Sequence, residues 1–110
     1  MLMTELNEED LKLITLAKGA RARIGAKAGA CVRDTDGRTY SVASVEYASK
    51  EYKAVDLAIA TALAAGANKL EAICVLGDEV INLDEIKSVL QESGCVIVCD
   101  AQGAVISVIN

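Results

Sequence analysis

Apolar residues first recur at helical spacing, with Leu11, Leu13, Ile14, Leu16, Ala17 and Ala20 on one face. Asn7 stands ahead of Glu8, Glu9 and Asp10, which gives this helix a side-chain cap and acids in its first turn. Gly19 and Gly25 weaken its far end, where Arg21, Arg23 and Lys27 gather. A solvated helix end is the plain reading of those cations; a phosphate or carboxylate site is the other. The period then shortens. AGACVRD (28–34) and RTYSVASV (38–45) read as strands around Asp34-Thr35-Asp36-Gly37, a hairpin signal.

The stretch 40–66 organises the rest of the chain. It predicts a strand feeding straight into a helix over 51–65 that stops at Gly66. From Ala54 to Ala65 only Asp56 and Thr61 are polar, so this helix needs cover on more than one side. One sheet covers one side. A partner subunit is expected to cover the other, with Ala58 and Ala62 pointing outward. LEAICVL (70–76) is a continuous apolar strand of the doubly covered kind. Asn82 and Glu85, flanked by Ile81 and Ile86 as a hydrophobic staple, open a further helix over 83–92. CVIVC (95–99) is the next buried strand, and Asp100-Ala101-Gln102-Gly103 turns the chain into AVISVI. So short a turn joins antiparallel strands, because a parallel return takes a dozen or more residues. The order α-β-β-α-β-α-β-β is that of an α/β, three-layer α-β-α domain. Its mixed five-stranded sheet ends on an antiparallel strand, and residues 1–110 form a single domain.

Composition narrows the function classes. The chain has 110 residues, enough for one core, and 53% of them are apolar. With three tyrosines and no Phe or Trp, that core must be aliphatic. A net charge of −5 lacks the basic footprint of a nucleic-acid module. The acidic start MLMTELNEEDLK is unlike a signal peptide, and no apolar run reaches membrane-spanning length. A soluble, cytoplasmic protein is expected, with no nucleic-acid or membrane partner. Cys31, Cys74, Cys95 and Cys99 form no C-x-x-C pair, and the chain has no histidine. Cys95 and Cys99 stand four strand residues apart, roughly 13 Å, too far for a disulfide or a shared metal. Buried, reduced core thiols are expected.

Several local matches, in the right order along residues 8–109, make the chain resemble the small cytidine deaminases of the free-nucleoside type. Ser44-Val45-Glu46-Tyr47-Ala48-Ser49 is similar to that family's Asn-Val-Glu-Asn-Ala-Ser at the end of the second strand. Ala28-Gly29-Ala30-Cys31 resembles its Val-Gly-Ala-Ala, and Asp36-Gly37 its hairpin turn. The tight final turn also looks like the free-nucleoside branch.

The resemblance implies zinc chemistry whose residues are missing. Zinc lowers the pKa of bound water to about 7, and a glutamate moves the proton between water and base. The family's Cys/His-Ala-Glu at the start of the central helix falls on Lys53-Ala54-Val55. Its Pro-Cys-x-x-Cys ligands fall on Leu83 and Ile86. Sliding the first register by one puts Asp56 at the glutamate but Ala54 at the ligand. In the family the Asn and first Glu of the strand motif bind the ribose; here they are Ser44 and Glu46. The aromatic that packs on the base falls near Ala26.

The resulting expectation is a degenerate, non-catalytic homologue without cofactor, metal or catalytic residues. It would be a homodimer or homotetramer that binds or assembles with a protein or small molecule. Ser44, Glu46, Lys53, Val55 and Asp56 would line the degenerate pocket. In that pocket Lys53 would neutralise Glu46, bind an anion or lie on the surface, and Glu46 would cap the following helix. Two alternatives remain. One is an enzyme of the deaminase or hydrolase class using Lys53, Asp56 or Glu46 on a nucleoside-like molecule. The other is a thiol or metal sensor.

Overall fold

The computed structural model describes residues 6–110. Helix α1 (Glu8–Ile24) begins where Asn7 Oδ1 accepts the Asp10 N–H at 2.8 Å and ends on left-handed Gly25; Gly19 does not interrupt it. The chain continues through β1 (Ala28–Asp34), β2 (Thr39–Ala43), β3 (Val45–Tyr47), β4 (Lys50–Tyr52) and α2 (Ala54–Ala64). After these come β5 (Leu70–Gly77), α3 (Leu83–Lys87), β6 (Leu90–Cys99) and β7 (Val105–Ile109). Five strands form one mixed sheet in the order β2-β1-β5-β6-β7. Among the described residues only β5 and β6 run parallel, and β7 returns antiparallel as expected.

Alternation along the strands builds two cores, one on each face of the sheet. Cys31, Ala72, Cys74, Leu76, Ile97 and Cys99 face α1, where they meet Leu13 and Ala17. Ala28, Ala30, Val32, Ile73, Val75 and Val96 face α2 and pack on Ala54, Val55, Ala58 and Ala62. Gly29 has to be glycine. A Cβ there would lie 2.2 Å from the Ala17 carbonyl oxygen, so α1 rests its backbone directly on β1. At its first turn α1 is also held by charge. Arg33 Nη2 donates to Asp10 Oδ1 at 3.0 Å, and Arg33 Nε donates to Glu71 on β5. Burial opposes the Arg33 charge, but these two carboxylates outweigh it and raise the pKa.

Both hairpins of the main sheet use the same turn. Asp34 Oδ1 accepts the N–H groups of Asp36 and Arg38, and Asp100 Oδ1 accepts those of Gln102 and Ala104. Asp34 is buried and also takes the Tyr40 hydroxyl. Its desolvation is more than offset by the hydrogen bonds from Arg38, Tyr40 and Asp36, so its carboxyl titrates below the usual range.

Four local expectations are corrected. The strand does not feed straight into the central helix; β3 and β4 pair as a separate ribbon between them. Their turn holds Ala48 and Ser49 at φ 51° and 63°, two left-handed residues in succession. Without the Asn or Gly that usually marks such a turn, the sequence hides it. The central helix therefore starts at Ala54, not at residue 51. The helix expected over 83–92 stops at Lys87, because the Val89 carbonyl is taken by the Leu70 N–H of β5 at 2.9 Å. Residues from Leu90 onward are extended and join the sheet. Finally, Ala58 and Ala62 are fully buried against the sheet; the outward face of α2 is Asp56, Ala60, Leu63 and Ala64.

Candidate functional site

A cavity of about 710 Å³ opens where four segments meet. Ile24–Lys27 join α1 to β1, and Ser44–Glu46 lead out of β2. Glu51–Lys53 lead into α2, and Asp78–Val80 follow β5. The site thus sits at the carboxyl end of β5 and the amino end of α2, the usual place for a ligand in an α/β sheet. Gly77 aims the last segment. It holds φ 106°, and a Cβ on it would lie 2.4 Å from the Lys27 carbonyl, so the chain after β5 crosses tightly over residue 27. The Asp78 N–H donates to that same carbonyl at 3.2 Å.

That turn delivers Glu79 to the start of α2. Lys53 occupies the N-cap position and gives no side-chain cap. Glu79 fills the role from the other side of the cavity. Its Oε2 accepts the Ala54 N–H at 2.7 Å, and its Oε1 accepts the Val55 N–H at 3.0 Å. These amides are among the unpaired donors at the positive end of a helix, where a carboxylate is favoured. A second bond crosses the same gap in the opposite sense, as Lys53 Nζ donates to the Val80 carbonyl at 2.7 Å.

The expected pocket residues divide. Ser44, Glu46 and Lys53 line the cavity. Ser44 is committed to the scaffold, since its Oγ accepts the Ala28 N–H at 3.1 Å and donates to the Ala28 carbonyl at 3.3 Å. The Glu46 side chain has no hydrogen-bond or ion-pair partner among the described residues, so it neither caps α2 nor meets Lys53. Val55 turns its side chain into the core, where it is 2% exposed. Asp56 lies on the solvent face of α2 and does not line the cavity. Lys27 forms an exposed ion pair with Glu51 at 3.5 Å across the cavity wall.

Sequence reasoning missed Glu79 and Tyr52. The Glu79 contact joins residues 25 apart, and no local spacing announces it. Tyr52 brings the aromatic ring that position 26 lacks; it lines the cavity and stacks on Tyr47 with ring centroids 5.3 Å apart. Its signal was the ribbon that the turn at Ala48-Ser49 conceals.

The residues that the resemblance sets at the zinc-ligand positions do not suit that metal. Lys53 carries an ammonium, Leu83 and Ile86 are hydrocarbon, and Ile86 is buried. Among the described residues no group of three or more His, Cys, Asp or Glu stands close enough to hold a metal ion. All four cysteines are free; three are buried and Cys95 is half-buried. They share the α1 face of the sheet, away from the cavity. Burial pushes the Cys31 thiol up to about 11. Cys74 and Cys99 act on each other, which raises the Cys74 thiol and lowers that of Cys99.

Fold and cavity together define a three-layer α/β domain with a ligand-sized cleft at the start of its central helix. The chain belongs to the cytidine deaminase-like family, whose model matches residues 6–103. It is similar to the solved cytidine deaminase of Burkholderia pseudomallei at 26% identity and a TM-score of 0.73, covering 96% of this chain and 93% of that one. The cytidine deaminase of Mycobacterium leprae has the same fold at 18% identity and a TM-score of 0.66, over 86% and 89% of the two chains. That of Mycobacterium tuberculosis matches at 22% identity and a TM-score of 0.57, over 79% and 80%. No curated protein matches the sequence. Among the described residues no helix is long and apolar enough to cross a membrane.

Proposed function

We propose that this chain is a non-catalytic member of the family that binds or assembles as a homo-oligomer and performs no zinc-dependent deamination. The placement of Val55 carries this reading. The residue that the resemblance sets at the proton-moving glutamate is an aliphatic side chain packed in the core between α2 and the sheet. Without a metal-activated hydroxide and a proton carrier, the hydrolytic step lacks both nucleophile and acid. Purified protein incubated with cytidine or deoxycytidine should release no ammonia, with or without added zinc. Zinc-dependent release from either nucleoside overturns the proposal.

Assembly is read from the outward face of α2. Leu63 is 40% exposed beside exposed Ala60 and Ala64, and a face of small apolar residues allows another helix to approach closely. Light scattering should give a dimer or tetramer at micromolar concentration, and Leu63→Glu should lower the mass to that of one chain. A monomeric parent, or a variant that keeps the parent's mass, removes this helix as the interface.

The cavity supports a second reading, in which a small molecule is bound and turned over without metal. At about 710 Å³ it falls within the range of small-molecule sites. Lys53 and Glu46 are the groups on its wall that such chemistry would use. A thermal-shift screen of nucleosides and related small molecules, followed by turnover assays on any hits, separates this reading from binding alone.

A further inference from the structure

We infer that the Glu79 carboxylate serves in this chain as the cross-link that a bound metal would supply, tying the segment before α3 to the first turn of α2. The inference rests on the metal-free reading above. Ligands placed at the starts of α2 and α3 would join those two helices through one cation. Here the residues at those positions cannot coordinate, yet the start of α2 is joined to the segment just before α3 by three bonds. Two run from the Ala54 and Val55 N–H groups to the two Glu79 oxygens, and one runs from Lys53 Nζ to the Val80 carbonyl.

The charges match this role. A cation at the positive end of a helix needs anionic ligands around it, whereas an anion fits that end directly. Replacing the metal by a carboxylate therefore lets neutral and cationic residues such as Val55 and Lys53 occupy the helix start. Glu79 accepts from both amides with separate oxygens, the arrangement in which charge-assisted bonds are strongest. Gly77 makes the contact possible, because only its left-handed turn against Lys27 brings residue 79 back over α2. The cross-link also decides what the cavity accepts. With the Ala54 and Val55 amides filled from within, an anionic ligand cannot use those two donors of the helix end.

Thermal unfolding of Glu79→Ala and Glu79→Gln tests the inference. Glu79→Ala should lose roughly 5–10 °C in midpoint, the shift expected when two such bonds are lost in a domain of this size, and Glu79→Gln should lose a smaller but measurable part of it. Glu79→Gln keeps the side chain's volume but offers one acceptor in place of two, so its loss cannot be assigned to a cavity. Formate in large excess should restore part of the midpoint of Glu79→Ala, by occupying the vacated amides, and leave the parent unchanged. The exchange protection of the Ala54 and Val55 amides should fall in both variants. Midpoints and amide protection that match the parent overturn the cross-link while leaving the non-catalytic reading intact. Stoichiometric zinc in the parent protein overturns both.

Discussion

At the starts of α1 and α3 an asparagine three residues back takes the helix amide. Asn7 Oδ1 lies 2.8 Å from the Asp10 nitrogen, and Asn82 Oδ1 lies 3.1 Å from that of Glu85. At the start of α2 the residue in the same place is Lys53, and the amides are served by Glu79, 25 and 24 residues further along. Two helices are thus closed by their own sequence and one by the tertiary structure. The long-range device appears at the helix that faces the cavity. A local cap fixes one helix end and nothing else. Glu79 fixes a helix end and the cavity wall at once, so it couples site geometry to fold stability.

Alanine substitution should rank these devices. Glu79→Ala comes first, at about 2 kcal/mol, since two charge-assisted bonds to part-buried amides are lost; the figure is kept low because Glu79 is half-buried. Asn7→Ala should cost about 1 kcal/mol, an ordinary N-cap value for a long helix that is otherwise well docked. Asn82→Ala should cost about 0.5 kcal/mol, because α3 has five residues and an exposed start. Chemical denaturation of the three variants checks the order. If Asn7→Ala costs more than Glu79→Ala, the contrast between local and tertiary capping is wrong.

A smaller effect sharpens the comparison. Lys53→Asp would give α2 the local cap it lacks. In the Glu79→Ala background it should recover about 0.5–1 kcal/mol. In the parent it should recover nothing, since it would place a second carboxylate beside Glu79. The double-mutant cycle reads the difference directly. Equal effects in both backgrounds would mean that Glu79 and a residue 53 cap do not compete for the same amides.

Legibility in the sequence follows the same division. The Asn7 and Asn82 caps, the Asp36-Gly37 hairpin, the final antiparallel turn and the five-stranded mixed sheet all rest on neighbours in sequence or on alternation. Each was readable. The family resemblance was readable for a similar reason, as ordered local matches, and the match over residues 6–103 bears it out. What escaped depends on partners far away or on backbone conformations without a marker residue. Periodicity carries the helix on to residue 92 because it cannot reveal that Leu70 claims the Val89 carbonyl. The ribbon is hidden because Ala48 and Ser49 adopt a turn that Asn and Gly normally announce. The inward direction of Ala58 and Ala62 is not legible because a helix apolar on every side gives no phase. At the site, Ser44, Glu46 and Lys53 line the cavity, and the contacts of Ser44 and Lys53 cannot be read from spacing.

The central claim is that the start of α2 is held by the protein's own carboxylate in place of a metal. Zinc content tests it most directly. Protein purified without chelators from zinc-supplemented cells should contain far less than one zinc per chain. Its unfolding midpoint should not move when zinc or a chelator is added. Zinc near one per chain, with a midpoint that falls when the chelator removes it, would contradict the account.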